Sequence, residues 1–261
     1  MKYFYQKESK EILDELNTTT SGLNSKEVEK RQEKHGLNVL PEAPRPSGFQ
    51  IFLNQFKDLI VLILIAAAVI SGVTGDAESS IVIVVVLIIN AILGTTQTLN
   101  AQRSVDSLKQ LSVPKVKVIR DGVKQEIDSH HLTIGDIVEF EAGDMIVADA
   151  RIIEASSLQV QESALTGESH AVDKNTDVVE GEVVVGDQTN MVFTGSQVTY
   201  GKGQAVVTSI GVNTEIGKIS ELLNNASSGK SPLQKSIDQF SKNLSVGIII
   251  LCIVVFGLTY M

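Results

Sequence analysis

Cysteine occurs once in these 261 residues, at Cys252, so no internal disulfide can brace the fold; its apolar surroundings suit a small packing side chain. A basic patch is missing as well. The formal charge is −9, which argues against a nucleic-acid partner. A secretory leader is not expected, because about fifty mostly polar residues come before the first apolar run. Internal repeats and low-complexity segments are absent, and no alternation of strand and helix favours a doubly wound sheet.

Long uncharged runs, in contrast, are plentiful. Residues 59–73 are nearly all aliphatic, residues 81–93 are apolar apart from Asn90, and residues 244–261 carry no charge. A bilayer core of about 30 Å takes about 20 helical residues to cross. Membrane spans are therefore expected at 59–75, at 81–99 and from 244 onward, the chain stopping inside the third. The first two are apolar on every face, whereas a soluble helix keeps a polar one. Lys57 precedes the first span, Arg103 and Lys109 follow the second, and Lys235 and Lys242 precede the third. The short loop 74–80 holds only Asp76 and Glu78. This bias places the N-terminus and the large middle segment on the cytoplasmic side of a lipid bilayer. Neither of the first two spans contains an acidic residue, so an ion-coordinating site is expected elsewhere.

Four segments follow from the pattern. Residues 1–46 form an N-terminal cytoplasmic helical element, with helices at 7–16 and from Ser25, read as an N-cap, to His35; Gly36 stops the second. Residues 47–112 hold the first two spans, the second continuing through 98–111 as a stalk on which Val105, Leu108 and Leu111 share a face. Residues 113–230 form a β-domain. Residues 231–261 begin with Ser231-Pro232, a sound helix start, and lead into the third span.

Within the β-domain the period changes to alternation. Val116 and Val118, then Asp121-Gly122, then Val123 and Ile127 read as a hairpin. Further strands are expected at 137–141, 150–154, 158–161, 178–184, 191–199 and 203–210, and a helix at 214–223. Many short strands separated by turns favour a barrel or jelly roll. The fold class is thus α+β: transmembrane helices plus a small, distorted jelly-roll cytoplasmic domain with flanking helices.

The stretch richest in chemistry is Thr166-Gly167-Glu168-Ser169, read as a turn at the end of a strand. Gly167 permits a backbone that other residues resist, and Glu168 projects between two hydroxyls. A carboxylate so placed can orient water as a general base. By spacing alone the string reads as an ordinary capped surface turn.

In context, this loop resembles the TGE loop of the P-type ATPase actuator domain. Gly143-Asp144 through Ala148-Asp149 is similar to that family's PGDxxPAD stretch, with Ala142 and Val147 in place of its prolines. Asn190, Phe193 and Gly195 match NxxFxG, with Ser196 following where threonine is common. Residues 212–219 read VNTEIGKI, residues 231–234 resemble TPLQ, and Gly36 and Asn38 match a GxN of the N-terminal element. Ala171 stands where proline is usual, and Thr98 where glutamate is frequent. The resemblance is nearest to bacterial calcium pumps.

The resemblance implies an ATP-driven pump in which Glu168 promotes hydrolysis of an aspartyl phosphate, with Thr166, Gly167 and Ser169 shaping the loop. It also implies ATP and Mg²⁺ bound in phosphorylation and nucleotide-binding domains, Ca²⁺ as the transported cation, further transmembrane helices, and a bacterial plasma membrane. The signature DKTGT occurs nowhere in the chain, so these residues alone are expected to form no phosphoenzyme. The alternative is a membrane-anchored β-domain that binds or regulates without catalysis. His130-His131 reads as surface loop, His170 as an exposed neighbour of the TGES string, Asn90 as a helix-packing polar group, and Asp144 and Asp149 as turn-fixing residues.

Overall fold

The computed structural model describes residues 3–40, 46–111, 113–225 and, further on, 236, 237, 239–244, 246, 247, 250 and 254. In chain order the elements are α1 (Ser9–Glu15), α2 (Ser25–His35), α3 (Gly48–Gln55), α4 (Leu59–Val73), α5 (Ala77–Leu111), β1 (Lys115–Arg120), β2 (Val123–Asp128), β3 (Ile137–Glu141), β4 (Asp149–Gln161), α6 (Ser163–Thr166), β5 (Val172–Lys174), β6 (Met191–Val192), β7 (Gln197–Ser209) and α7 (Glu215–Asn225). Short 3-10 turns lie between some of them. Two compact units emerge: Met1–Ala43 with Ser112–Ser227, and Pro44–Leu111 with Ser228–Met261.

The first unit is built on one seven-stranded sheet, ordered β2-β1-β3-β7-β4-β5, with β6 added against β4. Every pairing is antiparallel. Asp121 and Gly122 both take positive φ, and Arg120 faces Val123, so the expected tight hairpin is present. Alternation then sorts the side chains. Val118, Val138, Ala205 and Val207 enter one large core with Phe140, Leu158, Val160 and Val198. Their neighbours Ile119, Ile137 and Val206 point the other way, onto Ile12 of α1. The N-terminal helix thus covers the second face of the sheet.

The structure changes several expectations. The strands anticipated at 150–154 and 158–161 are one thirteen-residue strand, β4, with register shifts at 152–154 and 156–159. A bulge bends a strand without ending it. Residues 178–184 form no strand, despite four valines: Val179 and Val183 pack instead beside Tyr5, Met191 and Phe193. The strand expected at 191–199 divides into β6 and the start of β7, and β5 was not anticipated. The α2 N-cap is Asn24 rather than Ser25; its Oδ1 accepts from the Glu27 N–H at 2.9 Å.

The second unit is helical. Asp58 caps α4, accepting from the Ile60 N–H at 2.8 Å. A short connection through Gly75 leads into α5, which runs unbroken for 35 residues and so continues through 98–111. The Ser80 hydroxyl donates to the Ala68 carbonyl at 2.7 Å and joins α4 to α5. A Cβ on Gly94 would lie 3.0 Å from Gln55 Oε1, so α3 lies close against α5. Among the described helices α5 alone is long and apolar enough to cross a membrane. With 15 residues, α4 reaches only about 22 Å. It qualifies as a span only together with α3, which meets it at 66°. Ser231-Pro232, Cys252 and most of the expected third span lie outside the described residues.

Candidate catalytic loop

Strand β4 ends at Gln161, and Glu162 then turns the chain into the single helical turn α6. The Glu162 carbonyl accepts from the Leu165 N–H at 2.9 Å and the Thr166 N–H at 3.0 Å, and the Thr166 hydroxyl donates to it at 3.2 Å. Gly167 closes the turn in the left-handed region, with φ 76°, and its N–H donates to Ser163 O at 3.0 Å. The TGES string is therefore the C-terminal cap of a short helix, not a turn directly on a strand.

Glu168 emerges from that cap. Its backbone N–H donates to Thr166 Oγ1 at 3.2 Å. Its side chain is 62% exposed, and the imidazole of His170 lies beside the carboxylate, with Nε2 at 3.4 Å. Ser169 is held through its carbonyl, which accepts from Gln161 Nε2 at 3.3 Å. The structure thus gathers all four expected residues in one loop and adds His170 at its edge. An exposed carboxylate on a fixed backbone has the form a general base needs.

Three features fix the loop from behind. Leu165 packs against the cluster of Tyr5, Met191 and Phe193. The Val185–Asp187 turn crowds Thr166, since a Cβ on Gly186 would lie 3.0 Å from Thr166 Cγ2. Below them Glu162 meets Lys174 of β5 in an ion pair at 2.7 Å, the two side chains being 1% and 0% exposed. Burial raises the Glu162 carboxyl and lowers the Lys174 ammonium, and each charge offsets the effect on the other. Lys174 also donates to Gln188 O at 3.3 Å and sits over the Phe193 ring at 5.7 Å. Sequence reasoning missed this pair, because two charges twelve positions apart carry no local sign of meeting.

The other polar residues singled out in the sequence brace the fold. Asp149 Oδ1 accepts from the Thr194 N–H at 2.9 Å and Oδ2 from the Glu215 N–H at 2.8 Å, tying the start of α7 to the sheet. Asp144 Oδ2 accepts from the Glu141 N–H at 3.0 Å. Asn38 donates to Ser129 O and Val147 O and accepts from the Gly211 N–H. Asn190 donates to Tyr5 O and Asp177 O. Arg151, which the sequence did not flag, is fully buried and donates to the carbonyls of Lys7, Ile152, Thr176 and Asn190. Burial lowers its guanidinium to about 10. His131 takes part through its carbonyl, which accepts from Arg120 and Gln32. Asn90 lines a cleft of α4 and α5 residues with Gln55 and Gln97. No cluster of three or more His, Cys, Asp or Glu suited to a metal ion occurs among the described residues.

The P-type ATPase actuator domain profile matches residues 110–224, which include the whole sheet, the loop and nearly all of α7. The chain carries the N-terminal and actuator domains of a P-type ATPase. The cation transporter/ATPase N-terminus profile matches residues 4–71. A calcium-transporting ATPase of Listeria monocytogenes is 45% identical over 253 residues, covering 97% of this chain and 29% of the relative. One from Lactococcus lactis is 43% identical over 253 residues, with the same coverage, and one from Bacillus subtilis is 43% identical over 254 residues, covering 97% and 28%. The chain thus spans under a third of the length of these curated relatives. Within the actuator domain, Asp149 and Asn190 of the strings matching PGDxxPAD and NxxFxG are buried and join its loops, while Glu168 of TGES has a 62% exposed side chain.

Proposed function

We propose that this chain is part of an ATP-driven calcium pump and that Glu168 drives hydrolysis of its aspartyl phosphate. The observation that carries this reading is the exposed Glu168 carboxylate at the tip of a loop whose backbone is capped, packed and anchored. An anionic phosphate repels hydroxide, so water must be held in line and deprotonated as it attacks. Glu168 takes that proton, Thr166 and Gly167 set its direction, and Ser169 contacts the phosphate site.

Calcium is the proposed cation because the relatives from three bacteria are named calcium-transporting. In this reading residues 1–46 and 113–230 work on the cytoplasmic side of a plasma membrane. Residues 47–112 and 231–261 supply three spans and their stalks, and the sheet has the role of a distorted jelly roll. The stalks carry the swing of the actuator to the spans. ATP and Mg²⁺ bind to phosphorylation and nucleotide-binding domains that partner this chain, since no DKTGT string is present here.

The test is phosphoenzyme turnover in a full-length pump containing this chain. Glu168→Gln should form phosphoenzyme from labelled ATP and calcium at the normal rate and lose it slowly. Normal breakdown in that variant would remove the assignment. The 261 residues alone should give no acid-stable phosphoenzyme.

A further inference from the structure

The actuator loop has a charged base that its proposed chemistry does not use. Glu162 immediately precedes α6, and Lys174 ends β5. Between them lies every residue of the loop, Glu168 included. Their 2.7 Å contact closes the loop like a clasp, and both side chains are inaccessible to water. No stability argument accounts for such a pair, because two buried charges gain little over two apolar groups of the same size. What the pair supplies is direction. Lys174 is fixed from three sides, by Glu162, the Gln188 carbonyl and the Phe193 ring. Glu162 in turn lends its own carbonyl to Leu165 and Thr166. Glu162 thus touches the ion pair through its side chain and, through its carbonyl, the helical turn whose cap precedes Glu168.

We infer that Glu162 and Lys174 are positioning residues for Glu168, the ion pair fixing the base of the loop so that the carboxylate meets the phosphate in line. The inference rests on the proposed role of Glu168 and adds to it. Catalytic geometry is steep, so a displacement of about 1 Å can cost on the order of a hundredfold in rate.

The experiment follows phosphoenzyme formation and decay in the full-length pump. Lys174→Met should leave formation unchanged and slow decay by about tenfold or more. In a Glu168→Gln background the same substitution should add nothing, because its route to the reaction is already cut. The double variant Glu162→Leu/Lys174→Met removes both charges and should fold, since apolar replacement of a buried pair is tolerated. Its decay should still be slow. Lys174→Arg, which retains the pair, should recover much of the rate. Decay at the normal rate in the folded double variant, or an added effect on top of Glu168→Gln, overturns the inference. If instead Glu168→Gln itself decays normally, the reading of Glu168 fails first, so the two failures are distinguishable.

Discussion

Asp149 and Glu168 are carboxylates of the same domain, the first opening strand β4 and the second lying beyond its far end, and they are held in opposite ways. Asp149 is 4% exposed and each of its oxygens accepts a backbone N–H, one from Thr194 and one from Glu215. Glu168 has a 62% exposed side chain and its loop is fixed through the backbone, so that its carboxylate faces solvent with the exposed His170 beside it. An acid whose lone pairs are spent on the fold is a joint. One whose backbone is fixed while its oxygens stay open is available for chemistry. Both sit in strings that match the same family, so motif matching alone does not separate these roles, whereas burial and donor count do.

Substitutions at the two positions should separate cleanly. The largest effect is expected from Glu168→Gln, which should slow phosphoenzyme decay by about 10²–10⁴-fold while moving the unfolding midpoint little. A matching loss of stability would erase the contrast. Asp149→Ala should do the reverse: it strands two buried N–H groups and should cost about 2–3 kcal/mol in urea unfolding of the detergent-solubilised chain. Gly167→Ala comes next. No atom stands within 4 Å of the added Cβ, so only the strain of φ 76° is felt, about 1 kcal/mol. Its cost should therefore fall below that of Gly201→Ala, whose Cβ would lie 2.2 Å from Ser157 O.

The smallest effect concerns pH. Burial raises the Asp149 carboxyl above its ordinary value of 3.8, with the Thr194 and Glu215 donors opposing. The fold thus favours the protonated acid. That contribution is complete below 3.8 and is lost as pH rises through the raised folded value. The stability of the parent chain relative to Asp149→Asn should accordingly decline from pH 4 toward neutrality. A difference that grows with pH would show that the two donors outweigh burial.

What could be read from the sequence was local. Asp121-Gly122 specified its turn because both strands flank it directly, and the long apolar stretch 81–93 specified the core of α5. The loop could be found because Thr166, Gly167, Glu168 and Ser169 are contiguous. The misses needed a partner far along the chain. Residues 178–184 have strand-forming side chains, yet the Val179 N–H donates to Tyr5 O rather than to a sheet neighbour. Arg151 looks like a solvated strand residue until Lys7 and Thr176 arrive to accept from it. The joining role of Asp149 depends on Thr194 and Glu215, 45 and 66 positions away.

The reach of Arg151 has a consequence for how the protein is made. One of its acceptors, Lys7, is translated on the order of ten seconds before another, Asn190. During that interval α3, α4 and α5 are synthesised, while Ile12 still lacks the strands that will cover it. The earliest piece of the actuator domain must therefore stay unfinished until the last strand is translated. Damage to residues 4–16 should surface as a late assembly fault, far from where it began.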